Sequence, residues 1–121
     1  MHSLVIDDSR AMRMILGQML RGLGFEVTDA ANGREALGRL ADPTPDLVLV
    51  DWNMPEMSGI EFIEAMRRPP YASTAKVLMV TTESEIPQVV RALGAGADEY
   101  LMKPFSQEAV LDKLHLLGFE V

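Results

Sequence analysis

The sequence predicts an α/β fold built on a parallel sheet, and three features predict it. Five short apolar runs alternate with five stretches of helical periodicity, the pattern of repeated strand-to-helix crossovers. Two of the runs, Leu47-Val48-Leu49-Val50 and Val77-Leu78-Met79-Val80, carry no polar alternation. Strands of that kind are covered on both faces, as in a parallel sheet with helices on each side. Four of the five runs close on polar or charged residues: Asp7-Asp8, Asp51, Thr81-Thr82 and Lys103. Parallel strands bring such ends to one edge, where open α/β sheets gather ligands and chemistry.

The elements follow in order. Ser3-Leu4-Val5-Ile6 is the first strand, Ser9 is a good N-cap, and Met12, Ile15, Leu16, Met19, Leu20 and Leu23 recur at helical spacing until Gly24. Phe25 to Ala30 alternates apolar with polar residues, which suits a strand at a sheet edge. Asn32-Gly33 turns into a helix carrying Ala36, Leu37 and Leu40, and the Asp42-Pro43-Thr44-Pro45 stretch ends it. After the strand Leu47 to Asp51 comes the Asn53-Met54-Pro55 turn. Ser58-Gly59 then leads into a helix with Ile60, Phe62, Ile63 and Met66 on its apolar stripe. Arg67 through Ser73 reads as a loop, because Pro69-Pro70 cannot continue a helix. The strand Val77 to Val80 precedes a fourth helix starting at Glu83-Ser84-Glu85, with Pro87 in its first turn and Val89, Val90 and Leu93 as core positions. Tyr100-Leu101-Met102 is a short strand, and Ser106 caps a last helix through Val110, Leu111, Leu114 and Leu117.

Composition narrows the function classes. The 121 residues fit one domain, 1–121, of the ordinary soluble type, with 48% hydrophobic and 24% charged residues. No apolar run approaches the roughly 18 residues of a membrane span, and the start lacks the basic residues of a signal peptide, so a cytoplasmic protein is expected. Zero cysteines exclude disulfides and thiolate metal sites, and two isolated histidines argue against zinc. A net charge of -7 disfavours direct nucleic-acid binding, which leaves proteins as the expected partners.

One sheet edge is therefore expected to hold three carboxylates, a hydroxyl and an ammonium. Carboxylate pairs repel by on the order of 3 kcal/mol at about 5 Å and an effective dielectric near 20. Lys103 supplies one compensating charge, and oxygen ligands without His or Cys point to Mg²⁺. Asp51 could then attack phosphorus and carry an acyl phosphate, with Lys103 and the Thr81 hydroxyl offsetting charge on the phosphoryl oxygens.

Asp7-Asp8, Asp51-Trp52-Asn53-Met54-Pro55 with Gly59, Thr81, and Tyr100 through Lys103-Pro104-Phe105 resemble response-regulator receiver domains of two-component signalling. The likeness runs along nearly the whole chain and is strongest to the single-domain chemotaxis regulators. It implies a flavodoxin-like five-stranded sheet of order 2-1-3-4-5, an order that the residues by themselves do not dictate. It also implies that Asp51 takes a phosphoryl group from a sensor histidine kinase. Asp8, Asp7 through water, and the backbone carbonyl of Asn53 join Asp51 in holding Mg²⁺. Lys103 pairs with the phosphoryl oxygens, Thr81 moves toward them, and Tyr100 follows inward. Asn53 and Glu83 tune self-dephosphorylation, toward a short phosphoryl lifetime, and a cis bond before Pro104 aims Lys103 at the pocket. The family commonly has a smaller residue where this chain has Thr82, whose bulk narrows access for donor or water.

Output is expected by docking of a monomer, since the sequence runs no further than Val121. The docking face is the fourth helix, the Tyr100 strand and the last helix. A flagellar motor switch is the expected target, with a phosphorelay shuttle or a receiver cut from a larger regulator as the alternative. A rival class is the aspartate-nucleophile phosphatases, which by resemblance need a second aspartate two residues on as general acid. That position is Asn53, which donates no proton usefully. The chain is thus expected to be a regulator rather than an enzyme.

Overall fold

A computed structural model describes residues 1–82 and 86–121. The described elements are β1 (His2–Ile6), α1 (Arg10–Gly22), β2 (Glu26–Ala30), α2 (Gly33–Leu37), β3 (Leu47–Asp51), α3 (Gly59–Arg67), β4 (Lys76–Thr82), α4 (Ile86–Ala95), β5 (Glu99–Lys103) and α5 (Gln107–Leu116). All four strand pairings are parallel, and the order is β2-β1-β3-β4-β5. The expected 2-1-3-4-5 sheet is therefore present. Every residue of central β3 is buried, while β2 occupies an edge, as expected, with Glu26 and Asp29 exposed and Val27 and Thr28 half-buried.

Side-chain alternation divides the core into two layers. Val48, Val50, Val77 and Met79 pack with Ala36 of α2, Ile60, Phe62, Ile63 and Met66 of α3, and Val89 and Ala92 of α4. On the opposite face Leu47, Leu49, Leu78 and Val80 meet Leu16 and Leu20 of α1 and Val110 and Leu114 of α5. Ser9 and Ser106 cap α1 and α5 as expected, each accepting an amide hydrogen of the first turn. Ser58 and Glu61 complete a reciprocal capping box that fixes where α3 begins. Gly24, at φ +96°, turns the chain out of α1 in the left-handed region.

Three expectations need correction. α2 ends at Leu37 with Gly38 as its cap, and Leu40 reaches the core from the turn that follows. In α4 the buried residues are Val89 and Ala92, three apart, while Val90 is 71% and Leu93 44% exposed. One position is 100° around a helix, so Val90 lies off the buried stripe although its type matches. Ile15 in α1 is likewise exposed. The expected helix start at 83–85 lies outside the described residues.

The third correction concerns Arg67, which ends α3 instead of opening a solvated loop. Its Nη1 donates to the carbonyls of Ser73 (3.0 Å) and Ala75 (2.6 Å), and its Nε and Nη2 donate to that of Gly96 (3.2 and 2.7 Å). Nη2 also pairs with Asp98 at 3.1 Å, and the same carboxylate oxygen accepts the Val77 amide at 2.8 Å. One guanidinium thus ties α3 and two loops to the start of β4. Arg67→Met keeps the aliphatic stem but takes this donor from the Ser73, Ala75 and Gly96 carbonyls and the counter-charge from Asp98, at an expected cost of about 2–4 kcal/mol. The urea midpoint should fall accordingly while phosphorylation of Asp51 persists; an unchanged midpoint would refute this role.

Candidate functional site

Three carboxylates meet at the carboxyl edge of the sheet because β1 and β3 are neighbours in register, with Ile6 opposite Val50. Asp7 and Asp8 follow β1 directly, and Asp51 is the last residue of β3. One ligand oxygen from each of Asp7, Asp8 and Asp51 lies within 4.8 Å of the others. Asp7 is 2% and Asp51 8% exposed, while Asp8 faces solvent. Lys103, at the end of β5, reaches across with its Nζ 3.8 Å from Asp51 Oδ1 and 3.9 Å from Asp7 Oδ2. Its bond to Pro104 is cis, as the resemblance implied.

Backbone groups orient the two buried acids. The Ser9 amide donates to Asp7 Oδ1 at 2.8 Å, and the Asn53 amide donates to Asp51 Oδ1 at 3.4 Å. The loop that carries Asn53 is fixed by Gly59, whose amide donates to the Trp52 carbonyl at 2.9 Å. A Cβ at Gly59 would stand 2.6 Å from the Asp51 carbonyl oxygen and 2.8 Å from Trp52 Cα. Arg13, one turn past the Ser9 cap, donates to the Asp7 carbonyl at 2.7 Å and pairs with Asp29 at 2.9 Å. No local pattern in the sequence singles out Arg13 or names its acceptors.

Burial dominates the electrostatics. Loss of hydration pushes the Asp51 carboxyl up to about 6, the Asp7 charge adds to the rise, and Lys103 opposes it. Asp7 is raised as well, chiefly by burial, against the Ser9 amide and Lys103, which favour its charged form. Asp7 Oδ2 is buried without a hydrogen-bond donor, the Lys103 ammonium standing 3.9 Å away, so the pocket keeps an acceptor with room for a further ligand contact. Three hard carboxylate ligands and one unsatisfied oxygen fit a divalent cation. Among the described residues this is the sole group of three or more His, Cys, Asp or Glu gathered closely enough to hold a metal.

The remaining expected residues lie at different distances from this cluster. Thr81 is fully buried one position beyond Val80, the register partner of Asp51, and its hydroxyl donates to the Thr82 carbonyl at 3.3 Å. Thr82 lines an apolar groove with Met12, Ile15, Lys103, Pro104 and Phe105, and is the register partner of Lys103. Tyr100 is half-buried away from the carboxylates, opposite Met79 on β4, with the Lys113 ammonium 4.3 Å from its ring centroid. Glu83 lies outside the described residues.

The pattern of the response regulator receiver domain matches residues 3–115. Chemotaxis protein CheY1 of Helicobacter pylori is 37% identical over 119 residues, which span 97% of this chain and 96% of that protein. CheY of Pseudomonas aeruginosa is 38% identical over 115 residues, spanning 94% and 93% respectively. The solved structure of the Vibrio cholerae chemotaxis protein CheY4 superposes with a TM-score of 0.87 at 36% identity, covering 95% of this chain and 96% of that one. The chain belongs to the response regulator receiver domain family, the phosphorylation-activated switches of two-component signalling.

Proposed function

We propose that Asp51 is the phosphoacceptor, in a pocket whose other members hold the incoming group and sense its arrival. The observation that carries this reading is the convergence of Asp7, Asp8 and Asp51 within 4.8 Å beside the Lys103 ammonium. An Asp51 oxygen attacks the phosphorus of a phosphohistidine, the P–N bond breaks, and the imidazole leaves with the bonding pair. Asp7, Asp8, Asp51 and the Asn53 carbonyl are the residues to hold Mg²⁺, which when bound supplies positive charge opposite the phosphoryl oxygens. Lys103 is placed to pair with the same oxygens, and the Asn53 amide is already directed at Oδ1. The Thr81 hydroxyl turns from the Thr82 carbonyl to the phosphoryl group, and Tyr100, on the adjacent strand, follows it inward. Asn53 and Glu83 set how quickly water removes the group.

Asn53 offers no general acid, so the chain promotes its own phosphorylation and dephosphorylation and does not turn over external phosphoesters. Likeness to chemotaxis proteins supports a cytoplasmic chemotaxis regulator, phosphorylated by a sensor histidine kinase and acting as a monomer on a flagellar motor switch. No described helix is long and apolar enough to cross a membrane.

Incubation with phosphoramidate and Mg²⁺, followed by intact-mass spectrometry, should give one phosphoryl adduct that maps to Asp51. Absence of any adduct would overturn the site assignment, and steady release of phosphate from a phosphoester would favour a phosphatase. A pull-down with the beryllofluoride-bound protein should enrich a motor-switch component; its failure would count against that output alone.

A further inference from the structure

Lys113 joins the two faces of the sheet at its free edge. Tyr100 and its register partner Met79 belong to the layer under α2, α3 and α4, the side on which Thr81 also lies by alternation. Glu99 and Leu101 point to the other side, where Leu101 packs with α1 and α5. Lys113 extends from α5 around β5, so that its Nζ lies 3.0 Å from Glu99 Oε1 and 4.3 Å from the Tyr100 ring centroid. The same Glu99 oxygen accepts the Tyr100 backbone amide at 3.1 Å. Glu99 thereby holds both the ammonium and the peptide unit of the residue whose ring that ammonium covers.

We propose that Glu99 and Lys113 form a latch that keeps the Tyr100 ring in its present position and opposes its movement toward Thr81. The inference rests on the reading of Tyr100 as part of the phosphorylation switch. An ammonium near a ring face is attracted to the ring quadrupole, and a ring moving inward along the sheet forfeits that attraction. Glu99 makes the contact effective by ordering a side chain that would otherwise sample many rotamers. A contact made in only one of two ring positions biases the equilibrium between them, and the bias acts equally on anything that binds the other state. The latch therefore weakens phosphoryl-group binding at Asp51 through the shared equilibrium, without touching the pocket.

The chain has two tyrosines, and Tyr71, 43% exposed in the loop after α3, gives an internal reference for fluorotyrosine NMR of the full chain. In the parent, beryllofluoride with Mg²⁺ should move the Tyr100 signal and leave that of Tyr71. Lys113→Met should shift the Tyr100 signal of the unliganded protein toward the beryllofluoride position and tighten beryllofluoride binding by roughly two- to five-fold. Glu99→Gln should act in the same direction with smaller size, and Lys113→Arg, which keeps a cation over the ring, should match the parent. Unchanged beryllofluoride affinity in Lys113→Met would overturn the latch while leaving the switch intact. A parent Tyr100 signal that ignores beryllofluoride would overturn the switch reading itself.

Discussion

Asp51→Asn is expected to abolish the phosphoryl adduct and, in metal-free buffer at pH 7.5, to make the protein more stable than the parent. The Asp51 carboxyl ordinarily titrates near 3.8 and is raised to about 6 in the fold, so the folded state binds that proton more tightly than the unfolded chain. Linkage then makes this group's contribution most favourable at low pH, where both states are protonated. It declines as pH rises from about 4 to about 6 and is flat above. The full excursion is on the order of 3 kcal/mol at about 1.4 kcal/mol for each pH unit. Asparagine has nearly the same shape and no charge to desolvate, so the variant escapes the decline. That rise already contains the repulsion from Asp7 net of the attraction to Lys103, so neither is counted a second time. About 1–3 kcal/mol of stabilisation is therefore expected at pH 7.5, shrinking toward zero below pH 4. Urea unfolding in EDTA across that range measures it. A variant less stable than the parent at pH 7.5 would show that Asp51 is held by favourable contacts rather than strained by burial. Mg²⁺ should raise the parent's midpoint more than the variant's, since it binds the folded state through the carboxylate that the variant lacks.

The parts of this molecule legible in the sequence are those written in contiguous residues. β3 was legible because a short run of four aliphatic residues, bounded by Asp46 and by the Pro55 turn, reads as a strand covered on both faces, and all of them are buried. The pocket was legible because parallel topology puts strand ends along one edge, which gathers Asp7, Asp8, Asp51 and Lys103 there, while the order that makes β1 and β3 neighbours came from the family resemblance. What escaped was set by contacts between distant positions. Val89, Val90 and Leu93 satisfy helical periodicity equally well, and only the docking of α4 on β4 exposes the latter two. Arg67 stands before Arg68 and two prolines, the signature of a solvated loop, yet its acceptors lie six, eight and 29 positions away. Lys113 lies 14 residues from Glu99 and carries no local sign of meeting it or the Tyr100 ring.

Gly59 combines both kinds of information, and its replacement has the second large expected effect. The sequence marks it as the residue after a helix cap, a position that alanine would normally suit well. Its surroundings reverse that preference. An added methyl group would meet the Asp51 carbonyl oxygen at 2.6 Å and Trp52 Cα at 2.8 Å, both backbone atoms that no rotamer change can move. Relief requires α3 to withdraw from the end of β3, which lengthens the 2.9 Å bond from the Gly59 amide to the Trp52 carbonyl. The same withdrawal shifts the peptide units that carry Asp51 and Asn53. Gly59→Ala is therefore expected to destabilise the fold by about 1–3 kcal/mol, the usual size of overpacking at a site that cannot relax. Displacing catalytic groups by even about 1 Å can cost on the order of a hundred-fold in rate, so phosphorylation by phosphoramidate should slow at least ten-fold at a temperature where the variant remains folded. Far-UV circular dichroism and timed mass spectrometry on one sample separate the two effects. A folded variant with the parent's phosphorylation rate would mean that the β3–α3 connection tolerates movement and that Asp51 is positioned by β3 alone.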